Sequence, residues 1–415
     1  MLERYIQSPL VLHQAQHISD ASLQAFLQHL ESKGYSFGTI HRYLGAVVHF
    51  GLWKNRHGHT PDGSTRDDVY RFLRTHLPHC HCHPSFPRHK NTVRAALMRW
   101  VDVTELGRIA HDPLGKKEQW VSVFDAYLTD VAGLSPSTRL YRRRYALEFL
   151  RWVEATPSVE LNTLTDLHVA RYMGQRAAGI SLATLAVIAC SINSFLRFLS
   201  TNDDCSINPN INVPHPKVIY AIPTTQALTA EELNRLLVAI DRTYPVGKRD
   251  YAMARCLSDL GLRTSDVAQL SLDDINWRNS VMTVGPGKSR RCRKLPMSDT
   301  VRDALVDYLR KARPATTTRA IFVYHRAPLG EAVSPSTIRG AIRRAFTRAG
   351  FPAPESQVHR LRHTLATRLL QSGHCLKTIA DVLGHQSLET TTRYTHVDQN
   401  ALLAVALPWP RRTER

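Results

Sequence analysis

Apolar residues recur at helical spacing through much of the first half of the chain. In "EQWVSVFDAYLTDVAG", Trp120, Phe124, Tyr127, Leu128 and Val131 fall on one stripe, and Gly133 is placed to end the helix. "SPSTRLYRRRYALEFLRWVEA" follows, with Ser135 as its cap, Pro136 in its first turn, and Leu140, Leu147, Leu150 and Val153 among its apolar positions. "SLATLAVIACSINSFLRFLS" adds another long apolar helix. Residues 115–203 therefore read as a small all-helical domain. Residues 1–110 carry a related pattern. In "FLQHLESKGYSFGTIHRYLGAVVHFGLW", Phe26 and Leu30 align with Phe124 and Leu128. After a one-residue shift, Gly34, Ser36, Thr39, Phe50 and Trp53 align with Gly133, Ser135, Thr138, Phe149 and Trp152. Either the helical module is duplicated, or two amphipathic helix pairs look alike.

The pattern then changes. Residues 204–227 lie in a stretch with four prolines and several asparagines, the composition of a linker. From 228 to 415 the elements are mixed. Thr229 and Glu232 are spaced as a capping box. "VMTV" (281–284) and "CRKLPM" (292–297) predict a hairpin joined by "GPGKSRR", and "AIFVY" (320–324) predicts another strand. A helix is expected from His359, ended by Gly373, and a second through Leu376, Ile379, Ala380 and Leu383, ended by Gly384. The fold class is α+β, mostly α: helical N-terminal domains followed by a mixed C-terminal domain with a small antiparallel sheet.

Composition changes the picture through charge. At 415 residues the chain exceeds one hydrophobic core. No unbroken apolar run reaches the roughly 18 residues of a membrane span, and no signal-peptide pattern is recognised. Seven scattered cysteines predict a reduced, cytoplasmic protein without a disulfide framework. Lys and Arg total 54 against 35 Asp and Glu, a net charge of +19. That imbalance favours a polyanionic partner, most often nucleic acid. Arg139, Arg142, Arg143 and Arg144, with Arg151, make one helix strongly basic. Alone, the cluster reads as a solvated face.

Candidate chemistry lies near the C-terminus. His359, Arg362 and His363 fall at i, i+3 and i+4 on one helical face, while Leu361, Leu365, Leu369 and Leu370 point elsewhere. His385 follows the next helix, and Tyr394 stands nine residues later in the polar stretch "LGHQSLETTTRYTH". Arginine forks bind phosphate, and tyrosine is a potential nucleophile. Its pKa of about 10 leaves about one part in a thousand ionised at pH 7, a deficit of roughly 4 kcal/mol. A cationic pocket around a phosphodiester would supply that and stabilise the added charge on phosphorus. Arg263, after Gly261-Leu262, is a second arginine candidate, with Asp266 three residues on.

Together these residues resemble the tyrosine recombinase, or phage integrase, family. The resemblance rests on "GLRTSD" (261–266), Lys288, "HRLRH" (359–363), "LGH" (383–385) and Tyr394. It implies a site-specific DNA recombinase of integrase or transposase type. Tyr394 would attack a phosphodiester to give a 3′-phosphotyrosine, and Arg263 and Arg362 would clamp the phosphate oxygens. Lys288 would protonate the leaving 5′-oxygen, with Lys294 as fallback because the hairpin reads "GPGKSRR". His359 would accept the tyrosine proton, His385 would bind phosphate, and Asp266 and His363 would support them. It also implies a core-binding DNA domain at 115–203, a catalytic domain at 228–415 and no cofactor. The implied partners are double-stranded DNA with inverted-repeat sites, a homotetramer in the synapse and accessory proteins, in a bacterial nucleoid setting. A type IB topoisomerase-like activity and a non-catalytic DNA-binding regulator are the competing readings. The apolar tail "DQNALLAVALPW" (398–409) is expected to mediate assembly between protomers.

One motif stands outside this picture. "HLPHCHCHPSFPRHK" (76–90) holds five His and two Cys. Zinc sites usually space cysteines two to four residues apart, whereas here they are Cys-x-Cys. The expectation is a structured loop with helix-turn geometry and no metal.

Overall fold

The computed structural model of the chain describes residues 2–6, 8–61, 64–106, 116–157, 159–201, 207–217, 227–285, 292–352 and 357–385. It separates into two compact units, Met1–Ala110 with Thr224–Arg415, and His111–Pro223. Within the first unit, the N-terminal helices and the C-terminal part have separate hydrophobic cores.

The N-terminal helices are α1 (Pro9–Ala15), α2 (Asp20–Ser32), α3 (Phe37–Arg56), α4 (Arg66–Arg71) and α5 (Lys90–Leu106). After α4 the chain runs through a π-turn, Phe72–His76, and a 3-10 turn, Leu77–His79. The second unit holds α6 (Lys116–Asp130), α7 (Pro136–Ala155), α8 (Asp166–Ala177) and α9 (Leu182–Ser200). Helix α9 is apolar and long enough to cross a membrane by length and composition, but it is a core helix here: Ile188, Ile192, Phe195 and Leu199 are buried. Two residues of the expected stripes are not core. Val131 lies just past the end of α6 and Leu140 sits in the first turns of α7, and they are 72% and 58% exposed.

The two helical modules share local design. Gly34 (φ +71°) and Gly133 (φ +57°) turn the chain into Ser36 and Ser135, which cap α3 and α7. Each serine hydroxyl lies 3.0 Å from the threonine hydroxyl three residues on, Thr39 or Thr138. Thr65 and Thr165 form capping boxes on α4 and α8. The rings repeat as well. Trp53 meets Phe72 at 5.4 Å and 61°, and Trp152 meets Tyr172 at 5.4 Å and 61°. Phe50 and Phe149 complete the two triplets.

The C-terminal part comprises α10 (Ala230–Val238), α11 (Pro245–Asp259), α12 (Thr264–Gln269), β1 (Ile275–Asn276), β2 (Val281–Val284), β3 (Arg293–Pro296), α13 (Asp299–Lys311), α14 (Pro335–Arg348), α15 (His359–Gln371) and α16 (Leu376–Leu383). The strands form one antiparallel sheet in the order β1-β2-β3. Met282 sits opposite Ile275 and Leu295, and these three side chains pack into the core with Val284. The hairpin and the Thr229–Glu232 capping box are as expected. "AIFVY" is not a strand. Ala320 bridges Ser271 and Val323 bridges Ala332, so the segment changes partner before a ladder can extend. Its Ile321, Phe322 and Val323 are all buried, so it lacks the one-sided alternation of the hairpin strands.

Candidate active site

The site is assembled around the C-terminal end of α16. Gly384 takes the left-handed conformation (φ +63°). The His385 N–H donates to Ala380 O at 2.9 Å and the Gly384 N–H to Asp381 O at 3.2 Å, a Schellman-type ending. The helix still leaves its last carbonyls without intrahelical donors. Three arginines from three other parts of the fold supply them. Arg293 Nη1, on β3, donates to Val382 O at 2.7 Å. Arg362, on α15, donates to Leu383 O and also to Gly261 O. Arg263 Nη2, entering α12, donates to Gly384 O at 3.0 Å. Cations at the negative end of a helix dipole are favourable, and here they also fix where His385 points.

Local sequence explains why these side chains meet. Gly261 (φ +61°) turns the chain between α11 and α12, and a Cβ there would lie 2.7 Å from Leu383 and 2.9 Å from Leu365. Arg263 therefore leaves the turn close against α15 and α16. Asp266, in the first turn of α12, accepts the Arg263 N–H at 3.2 Å and an Arg293 guanidinium N–H at 2.9 Å. Its side chain is 1% exposed, so the carboxylate is effectively enclosed by its donors. Gly384 is needed twice over: its φ is left-handed, and a Cβ would lie 2.7 Å from Arg293 Nε.

The electrostatics follow from this crowding. Burial, reinforced by Arg362, Arg263 and Arg293, pushes the His385 pKa down to about 4. His359, at the first position of α15, is likewise lowered, by withdrawal from water and then by Arg362, Arg263 and Arg339. Both imidazoles are neutral at pH 7. The pocket thus combines fixed guanidinium charge with one imidazole able to take up a proton and another able to hydrogen-bond an anion.

Arg263, Arg362, His359, His385 and Asp266 are therefore brought together as the motif spacing implies. His363, half-buried one turn along α15 from His359, is the last of the neighbours that lower the His385 pKa. Lys288 and Tyr394 lie outside the described residues, as does the 398–409 tail. Lys294, the fallback acid, is exposed on β3 opposite Thr283, beside a cavity of about 340 Å3 that also reaches His385. Arg293 is the functional neighbour that sequence reading missed. The signal was available: in the hairpin register it shares the inward face with Leu295, where a charged residue needs a buried partner. The arginines of α7 are partly occupied within their own unit. Arg139 and Arg143 pair with Asp125 at 3.1 and 3.3 Å, Arg142 donates to Cys190 O at 3.4 Å, and Arg144 lies over the Tyr145 ring.

Comparison with known proteins agrees with this geometry. Residues 226–401 match the Phage integrase family. A putative integrase/recombinase of Sinorhizobium fredii is 33% identical over 308 residues, covering 74% of this chain and 75% of the relative. The tyrosine recombinase XerC of Oceanobacillus iheyensis is 30% identical, covering 70% of this chain and 95% of the relative. Among solved structures, XerH site-specific recombinase bound to its difH substrate in a post-cleavage complex matches with a TM-score of 0.55 at 19% identity, covering 81% of this chain and 93% of that one. A lambda integrase dimer bound to a core site matches with a TM-score of 0.51 at 17% identity, covering 66% of this chain and 94% of that one. These two structural matches share the fold, a helical protein with a small antiparallel sheet. With the arginine-capped helix end and the sequence relatives taken together, the chain belongs to the phage integrase family of tyrosine recombinases, enzymes of site-specific DNA recombination.

Proposed function

We propose that this chain cleaves and rejoins DNA through a 3′-phosphotyrosine on Tyr394, in the pocket built by Arg263, Arg362, His359 and His385. The supporting observation is the convergence of both motif arginines and His385 on the last turn of α16. In this reading Arg263 and Arg362 stabilise the charge gained by phosphorus, and His359 accepts the tyrosine proton. His385 donates a hydrogen bond to a phosphate oxygen. Lys288 protonates the leaving 5′-oxygen, and Asp266 and His363 hold the arrangement. The tyrosyl phosphodiester conserves the energy of the broken bond, so rejoining needs no external energy source.

The DNA-facing parts follow from charge and from the repeated helical design. Residues 115–203 form a core-binding module, with Arg142 and Arg144 better placed than Arg139 and Arg143 to meet phosphates, because Asp125 already neutralises part of the latter pair. Residues 1–110 act as a second copy of that module, and the 204–227 linker joins the 115–203 module to the catalytic part at 228–415. The working assembly is a tetramer on two duplexes bearing inverted-repeat sites in the nucleoid, coupled by the 398–409 tail, with accessory proteins as further partners. A nicked site substrate that traps the intermediate tests the chemistry. The wild type should form an SDS-resistant adduct and Tyr394→Phe none, with site binding retained. Exchange between two marked duplexes, rather than relaxation of one plasmid, separates recombination from a topoisomerase-like reaction.

A further inference from the structure

The N-terminal helices carry a second polar cluster that recombination does not use. His49, on α3, meets His76, Cys80 and Cys82, and the four donor atoms lie within 4.8 Å of one another. His49 Nε2 is 3.2 Å from His76 Nε2 and 3.3 Å from Cys80 Sγ, and Cys82 Sγ is 3.6 Å from His76 Nε2. A tetrahedral zinc ion with ordinary bond lengths sets edges of about 3.3 Å between nitrogens and about 3.6 Å between nitrogen and sulfur. The His49–His76 and His76–Cys82 edges match these values, the His49–Cys80 edge is 0.3 Å shorter, and the remaining edges lie within 4.8 Å. From this the geometry points to a structural zinc site in the N-terminal domain, ligated by His49, His76, Cys80 and Cys82.

The local fold supports that assignment. The π-turn Phe72–His76 rotates His76 off the regular helical path toward α3, and such single π-turns often mark functional positions. Phe86 stacks on the His49 ring at 4.8 Å and Phe72 on the His76 ring at 5.1 Å, which fixes both imidazole planes. His49 Nδ1 is buried without a hydrogen-bond partner among the described residues, and the Pro87 backbone carbonyl lies near the ring. Ligation through Nε2 puts the proton on Nδ1, near that carbonyl, the outer-shell partner a metal-bound histidine normally uses. Arg56 approaches Cys82 Sγ at 3.9 Å, and Arg88 donates to Cys82 O at 2.6 Å, so the thiol segment is braced from both sides. The Cys82 N–H donates to Cys80 Sγ at 3.4 Å, which ties the second cysteine's backbone to the first one's thiol.

The second helical module shows what these positions do without a metal. His49 precedes Phe50 as Glu148 precedes Phe149, and His76 follows Phe72 by one turn as Arg176 follows Tyr172. There the pair is an ion pair, Glu148–Arg176, at 3.1 Å. The N-terminal module replaces it with two imidazoles and brings two thiols to them on a segment, residues 80–89, that forms no regular element. Two thiolates and two imidazoles in closed tetrahedral array suit zinc and exclude the hard cations calcium and magnesium. Binding releases the two thiol protons, and two thiolates neutralise the dication. The site would fasten the 80–89 segment to α3.

The test uses the full-length chain purified under reducing conditions without chelator. Elemental analysis should find about one zinc per chain, and the apo form should take up about one cobalt(II) with the visible bands of a tetrahedral thiolate site. Cys80→Ser with Cys82→Ser should lower bound zinc about tenfold or more, while Cys190→Ser with Cys375→Ser, exposed cysteines elsewhere, should leave it unchanged. Wild-type protein that holds no zinc and gives no cobalt bands overturns the proposal, and that result needs no variant to fold. Undiminished zinc in the Cys80/Cys82 variant overturns it too.

Discussion

Two clusters in this chain gather histidines, and they lack opposite things. Around the end of α16, three guanidiniums gather with a single carboxylate, Asp266, which pairs with Arg293, and His359 and His385 are held neutral beside them. The balance is cationic, and the missing partner is an anion. Around His49 the donors are thiols and imidazoles with no carboxylate among them, and the missing partner is a cation. Burial does not separate the two, because both are half-enclosed groups of polar side chains. What separates them is where the charge is anchored. The arginines are fixed to backbone carbonyls of a helix end, so they hold position before any phosphate arrives, which is the condition for stabilising a transition state rather than a ground state.

The largest effect should come from removing that anchored charge. Arg362→Ala takes away the proposed phosphate clamp and frees the Leu383 and Gly261 carbonyls. Single-turnover cleavage should fall by a factor of about 10²–10³ or more, roughly 3–4 kcal/mol, and Arg263→Ala should act similarly. A change of only a few-fold in both would mean the phosphate lies elsewhere.

Comparable in size, but read in stability rather than in rate, is the buried pair beneath the pocket. Arg293→Met strands the Asp266 carboxylate, which costs about 3–5 kcal/mol in denaturant unfolding when one partner of a buried pair is lost. Arg293→Met combined with Asp266→Leu should be milder than Arg293→Met alone, because no charge is then left unpaired. Equal effects would show that Arg293 matters by filling space.

A smaller effect should appear with pH. The folded pKa of His385 is about 4 against an ordinary 6.5, so between these values the unfolded chain binds the extra proton. The contribution of this histidine to stability is complete above pH 6.5 and declines as pH falls toward 4. His385→Asn should flatten that part of the profile. Bound DNA should move the His385 pKa upward, since phosphate offsets the arginines, and imidazole NMR shifts would report it. An unchanged pKa in the complex would remove His385 from the phosphate.

Much of this was legible in sequence. The i, i+3, i+4 pattern put His359, Arg362 and His363 together, and Gly384 gave the helix stop that positions His385, because both signals are local. Arg293 was not read, since the hairpin was expected without its register and the α16 carbonyl that Arg293 meets is distant in sequence. "AIFVY" was misread because three consecutive buried apolar residues look like a strand whether or not a ladder forms. His49 was overlooked for the same reason as Arg293: counting ligands within 76–90 cannot find one on α3. The arginine cluster of α7 read as a solvated face, and only the structure shows Asp125 beneath part of it.

The most direct measurement is to trap the covalent intermediate on a nicked site, digest protein and DNA, and locate the nucleotide by mass spectrometry. The account predicts one adduct, a 3′-phosphate linked to Tyr394, absent from Tyr394→Phe and strongly reduced in Arg362→Ala. A nucleotide on any other residue, or an adduct that persists in Tyr394→Phe, would contradict it.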